Sequence, residues 1–190
     1  MKLFVGLGNP GKEYAKTRHN VGFDVLLEFQ ETFNGNFSEF TLDKTHNALI
    51  SEGRIEQEKV LLVLPQGYYN TSGMSVSSIM SYYKISAGEL FVVHDDLDIP
   101  LGNLRVSKDA TAAGNKGVQS IIESIGTKNF TRIRVGIQQP QDADAKEFVL
   151  DRFSKSEATQ IQESKKQAQQ ALIDCVSYYP AIEKVQNIYN

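Results

Sequence analysis

Tryptophan is absent from the 190 residues, cysteine occurs once and proline five times. A single cysteine excludes an internal disulfide framework and any all-thiolate metal site. The three histidines, at 19, 46 and 94, are scattered and offer no zinc-ligand spacing. Long apolar runs are missing too. The N-terminal stretch from Lys2 to Leu7 stops at Gly8-Asn9-Pro10, which is too short for a signal-peptide core, and no small-residue cleavage site follows. No stretch approaches the roughly 18 apolar residues that a membrane span needs. Neither sign of charge dominates: 20 Lys and Arg stand against 23 Asp and Glu, for a net charge of −3. That balance argues against a protein that coats nucleic acid through bulk positive charge. Together these absences predict a cytoplasmic protein with no membrane role.

What is present is an ordinary globular balance, 41% hydrophobic and 23% charged. The length suits one domain over residues 1–190. Residues 2–7 read as a buried strand closed by a Gly/Asn/Pro/Gly cluster. Val21, Val25, Leu26, Phe29 and Phe33 recur at helical spacing over 20–33. Residues 46–54 and 58–64 read as a pair of strands, the second apolar throughout and therefore central. A helix is predicted from Thr71 or Ser72 to about Tyr83, a strand over 89–94, and a turn at Pro100 and Gly102. A polar loop from Lys108 to Gly114 leads to a helix that Gly126 stops, followed by a strand over 131–137 and a helix over 154–179. Strands alternating with helices, plus one hairpin-like pair, predict an α/β domain. Its centre would be a twisted, mixed β-sheet with helices on both faces.

Polar residues cluster just after three of the strands. Asn9 and His19 follow the first, Asn70 follows the strand at 58–64, and Asp95 ends the strand at 89–94. Ligands in open α/β sheets bind at the carboxyl ends of strands, so these side chains converge on one edge. Gly6-Leu7-Gly8-Asn9-Pro10-Gly11 matches G-x-G-x-x-G, but no helix opens at its last glycine, as a dinucleotide site requires. A turn presenting Asn9 is the better reading. His19 lies in a polar loop, where a solvated surface residue is the bland alternative. With Asp95 on its other nitrogen, a neutral imidazole there would take a proton from water. The acidic run Asp95-Asp96-Leu97-Asp98 also admits a magnesium site, though no phosphate loop accompanies it. No G-x-S-x-G elbow is present, and Ser72 has no activating neighbour in sequence. His46, His94 and Cys175 read as structural.

Several blocks together resemble the bacterial peptidyl-tRNA hydrolase family over nearly the whole chain. They are Val5-Gly6-Leu7-Gly8-Asn9-Pro10-Gly11, then Tyr14, then Thr17-Arg18-His19-Asn20-Val21-Gly22. Pro65, Tyr68, Asn70 and Ser72-Gly73 follow, with Asp95-Asp96-Leu97-Asp98-Ile99-Pro100, Gly102 and Arg105 behind. Phe130, Arg132 and Arg134-Val135-Gly136-Ile137 complete the pattern. The resemblance implies a monomeric enzyme, with no metal and no cofactor, that cleaves the ester between a peptide and the 3′ end of tRNA. It implies His19 as the general base and Asp95 as its partner. Asn9, Tyr14, Tyr69, Asn70 and Lys116 would bind substrate. Arg105, Lys108, Asn115, Arg132 and Arg134 would contact the tRNA 3′ end and acceptor stem.

The chain also departs from that pattern. The family usually carries Gly-Gly-His-Asn-Gly before the helix near residue 117, where this chain has Ala113-Gly114-Asn115-Lys116-Gly117. The family's Met before Asn70 is Tyr69 here. A lysine at 116 would either receive a developing oxyanion or a phosphate, or fill the site and leave a tRNA-binding relative with little activity. The joint presence of His19 and Asp95 favours the enzyme. Charge is segregated along the chain. Residues 1–20 carry four basic and one acidic side chain, and residues 100–140 carry six and two. Both basic segments flank the proposed site, so the chain is suited to grip one tRNA end locally, with affinity that falls as salt rises.

Overall fold

A computed structural model describes all of residues 1–190. Seven strands form one sheet: β1 (Lys2–Gly6), β2 (Thr41–Asp43), β3 (Ala48–Ile55), β4 (Glu58–Pro65), β5 (Leu90–Asp96), β6 (Leu104–Lys108) and β7 (Thr131–Gly136). Their order across the sheet is β2-β3-β4-β1-β5-β7-β6. The four central strands β4, β1, β5 and β7 are parallel, while β2, β3 and β6 add antiparallel edges. The helices are α1 (Val21–Thr32), α2 (Ser72–Tyr83), α3 (Lys116–Ile125), α4 (Ala145–Phe148), α5 (Ala158–Ser177) and α6 (Ile182–Tyr189).

Alternation along the strands splits the interior into two layers. Phe4, Leu62, Phe91 and Ile133 point to a core closed by α1, α5 and α6. Leu3, Val5, Leu61, Val63 and Val92 point to the other core, closed by α2 and α3. With both faces covered, a central strand gains nothing from polar residues, which is why β4 and β5 read as continuous apolar runs. Each fully buried Leu or Phe contributes about 1.5–3 kcal/mol through removal from water.

Besides adding the short β2 and α4, the structure differs from the sequence expectation at three places. β6 forms where only a turn and a loop were expected. Its two inward side chains, Leu104 and Val106, are too few for a clear periodicity, and the strand is recruited by antiparallel pairing with β7. Asn190 completes its outer edge, bonding both the N–H and the C=O of Val106 at 2.9 Å. The last long helix begins at Ala158 rather than Ser154, because residues 154–157 form a turn in which Glu157 accepts from the Ser154 N–H. It ends at Ser177, and the chain turns at Pro180 into a separate helix, α6.

The dinucleotide reading fails because no helix opens at Gly11: a 3-10 turn, Lys12–Tyr14, follows, and α1 starts only at Val21. The first glycines instead serve close packing. A Cβ on Gly6 would collide with the Gly22 carbonyl, and one on Gly8 with the Phe23 ring. The glycines let α1 press onto the end of β1, and that contact directs the intervening loop, with His19, across the sheet edge.

Candidate active site

His19 lies in a single 3-10 turn, Arg18–Asn20, immediately before α1. Its Nδ1 is 2.9 Å from Oδ2 of Asp95, a residue near the end of β5 that is only 3% exposed. Burial alone would raise the Asp95 carboxyl. The charge of His19, its hydrogen bond and the Tyr69 hydroxyl together outweigh burial and hold the carboxyl below the usual carboxylate range. An ionised carboxylate can only accept, so the proton between the pair sits on Nδ1. With Nδ1 committed to Asp95, the other ring nitrogen, Nε2, has no partner within the protein.

His19 lines a cavity of about 420 Å³. One wall is the start of α3, with Asn115 and Lys116; the other is the segment from Ala145 to Leu150, with Lys146. This strap is stitched to the His19 turn. The His19 N–H donates to the Val149 carbonyl at 2.8 Å, and the Arg18 N–H to the Asp151 carbonyl at 2.9 Å. The Arg18 guanidinium packs on the rings of Phe148 and Phe153 and forms a two-pronged pair with Glu157, each N···O distance 2.9 Å. The hydrogen bonds from Arg18, ahead of the opposing effect of burial, hold the Glu157 carboxyl down to about 2.

Asn9 is fixed from three directions. Its N–H donates to Asn20 Oδ1 at 2.8 Å, Asn20 Nδ2 donates back to its carbonyl at 2.9 Å, and the Tyr69 N–H donates to its Oδ1 at 2.9 Å. The side-chain Nδ2 remains a donor without a protein partner. Asn70 is exposed in the short turn after β4, and Tyr14 is half-buried in the turn Lys12–Tyr14. None of these three, Asn9 included, is among the residues lining the cavity.

Three expectations require correction. Tyr69 does not face substrate. It is 4% exposed, its ring stacks on His19 at 3.5 Å between centroids, and its hydroxyl donates to Asp95 Oδ1 at 2.7 Å. Asn115 does not present its amide to RNA. Its Oδ1 caps α3 by accepting from the Val118 N–H at 3.0 Å, and its Nδ2 donates to the Tyr69 hydroxyl at 2.9 Å. Arg132 is 2% exposed and so unavailable to a phosphate. Burial lowers its guanidinium to about 10.

Among the other cations, Arg134 donates from Nε to Asp96 Oδ2 at 2.8 Å. Arg105, opposite Arg134 in the β6–β7 ladder, is exposed and lines a different cleft with Asn103 and Gln167. Lys108 is half-buried at the end of β6, and Lys116 is exposed at the cavity wall.

The acidic run is not one site: Asp95 faces His19 and Tyr69, while Asp96 pairs with Arg134 and accepts from the Asp98 N–H. No three His, Cys, Asp or Glu side chains are grouped to hold a metal ion. His46 bonds Ser78 Oγ at 2.8 Å. His94 is fully buried, and desolvation, with Arg132 nearby, lowers its imidazole to about 4. Cys175 is fully buried, and burial pushes its thiol up to about 12.

Lys146 was not singled out from the sequence, and no role was read there for the rest of the strap. The available signal was Asp144, whose Oδ1 caps α4 by accepting from the N–H groups of Lys146 and Glu147.

A model of the peptidyl-tRNA hydrolase family matches residues 3–190. The chain belongs to that family. Its activity is the family's, hydrolysis of the ester bond of peptidyl-tRNA. The peptidyl-tRNA hydrolase of Agathobacter rectalis is 41% identical over 192 residues, covering 100% of both chains. That of Desulforamulus reducens is 48% identical over 162 residues, covering 85% of this chain and 76% of its own. A solved structure of the peptidyl-tRNA hydrolase from Acinetobacter baumannii matches with a TM-score of 0.91 at 29% identity. It covers 100% of this chain and 94% of that one. The expected hydrolase and the mixed α/β fold are therefore borne out, and no finding favours the impaired RNA-binding alternative. No helix is long and apolar enough to cross a membrane.

Proposed function

We propose that His19 is the general base of peptidyl-tRNA hydrolysis and that Asp95 holds it in the working tautomer. The observation that carries this reading is the half-buried His19 paired with the buried Asp95, both on the cavity wall, with Nε2 of the imidazole free of protein partners. A water on Nε2 loses its proton as its oxygen attacks the ester carbonyl. Asp95 stabilises the imidazolium that forms, and the imidazolium returns the proton to the departing 3′ ribose oxygen. General-base catalysis of this kind contributes about 10²–10⁴-fold.

Two groups would receive negative charge: the unpartnered Asn9 Nδ2 and Lys116 in the first turn of α3. A cation there opposes the helix dipole, at a cost of about 0.3–1 kcal/mol. Its place on the cavity wall suits an anion, either the developing oxyanion or the terminal phosphate. Asn70 at the exposed turn would bind the peptide backbone. Tyr14 would stack the terminal base, an interaction worth about 1–3 kcal/mol. Arg105 and Lys108, with the half-committed Arg134, would hold acceptor-stem phosphates without reading sequence. The reading takes the enzyme as a cytoplasmic monomer.

The test is incubation of the purified protein with an N-blocked aminoacyl-tRNA. The expected products are the N-blocked amino acid and a tRNA with a free 3′ end. Binding of that tRNA without cleavage, with cleavage gained in Lys116→Asn, would replace this reading with that of a binding relative.

A further inference from the structure

We propose that Tyr69 and Asn115 are positioning residues that lock Asp95 in the rotamer His19 needs. The inference rests on the reading of His19 and Asp95 as the base and its partner. Each Asp95 oxygen has its own donor: Oδ2 faces His19 Nδ1 at 2.9 Å, and Oδ1 accepts from the Tyr69 hydroxyl at 2.7 Å. A carboxylate bonded at one oxygen still turns about its terminal torsion, whose preference is broad. Bonded at both, it is fixed in one plane.

The Tyr69 hydroxyl is itself held. It accepts from Asn115 Nδ2 at 2.9 Å, which directs its own proton to Asp95. Burial, reinforced by the Asp95 charge, drives the phenol pKa well up, so the group stays a donor throughout the working pH range. Asn115 is fixed in turn by capping α3 through Oδ1. The arm therefore runs from the N-terminus of a helix, through an amide and a phenol, to the catalytic carboxylate. Its space is kept open by Gly117, where a Cβ would lie 2.5 Å from the Tyr69 ring.

Tyr69 also acts on two other members of the site. Its ring lies flat on the His19 imidazole, the planes inclined by only 13°, and its N–H orients Asn9. The two positions are 46 residues apart in sequence, yet they touch. They are also two of the positions at which this chain departs from the family pattern. Departures that bond each other and converge on one carboxylate form a single unit.

The experiment compares wild type, Tyr69→Phe, Asn115→Ser and the double variant on peptidyl-tRNA, with His19→Ala alongside. Phe keeps the stacked ring, and Ser keeps an N-cap acceptor while losing the amide donor. Tyr69→Phe is expected to lower kcat about 10–100-fold with KM within about threefold, the scale seen when a group that orients a catalytic ligand is lost. The double variant is expected to lose little more than Tyr69→Phe alone, because both changes cut the same arm. The downfield proton resonance of His19 Nδ1–H should shift or broaden in Tyr69→Phe. Unchanged kcat and resonance in a folded Tyr69→Phe overturn the proposal, as do fully additive losses or a loss confined to melting temperature. Full activity in His19→Ala would instead defeat the reading of the base on which the proposal rests.

Discussion

Replacing Asp95 with asparagine removes one charge and almost no volume, and the geometry fixes what must follow. Asp95 accepts at both oxygens, 2.9 Å from His19 Nδ1 and 2.7 Å from the Tyr69 hydroxyl. An amide accepts on one side only. If its nitrogen turned to Tyr69, the hydroxyl would face two donors, the new amide and Asn115 Nδ2, and its own buried proton would lack an acceptor. That costs about 1–3 kcal/mol. If the nitrogen turns to His19, the ring only has to move its proton from Nδ1 to Nε2, the nitrogen that faces the cavity and solvent. The second arrangement wins. It leaves the base capped by its own proton, and it removes the charge that would stabilise the imidazolium. A wrong-tautomer change of this kind in a serine-protease triad costs about 10⁴-fold in kcat. We therefore expect Asp95→Asn to lose about 10³–10⁴-fold in single-turnover cleavage, with KM nearly unchanged. Activity within about tenfold of wild type would refute the tautomer argument.

Glu157→Gln strips the charge partner from a nearly buried Arg18. Discounted for the 23% exposure of the Glu157 side chain, the loss should be about 1–3 kcal/mol in urea unfolding, with a higher KM as the strap at 145–150 loosens. Because the folded pKa of Glu157 lies below its free value of 4.5, this contribution is complete above pH 4.5 and fades as pH falls toward 2. Asp24 behaves oppositely. Burial raises its carboxyl from 3.8 to about 6, beyond what Lys165 offsets, so its charge costs stability above about pH 6 and nothing below about pH 4. Asp24→Asn should thus stabilise by about 1–2 kcal/mol at pH 8, with the gain vanishing at pH 4 in thermal melts. Lys116→Ala should raise KM several-fold and flatten the slope of log KM against log salt by about one contact.

The central strands and the main helices were legible because burial on both faces leaves an unmistakable pattern in β4, β5 and α1. β6 was not, since two inward residues carry no period and Leu104 pairs with Val135, 31 positions on. The meeting of His19 and Asp95 was legible, the one in a polar loop after β1 and the other at the end of β5. The fate of Tyr69, Asn115 and Arg132 was not, because residue type announces chemistry while direction comes from packing. Tyr69 points inward because Gly117 admits its ring, and Asn115 because a helix start needs its oxygen. Arg132 is 2% exposed although Arg134, on the same face of the same strand, is not buried, a difference that residue type does not carry.

The most direct test of the central claim is single-turnover cleavage of a peptidyl-tRNA by wild type and His19→Ala at saturating enzyme, with tRNA affinity measured in parallel. The account predicts a rate lower by about 10³-fold or more in His19→Ala, with affinity for the tRNA retained. Cleavage by His19→Ala at the wild-type rate would contradict it.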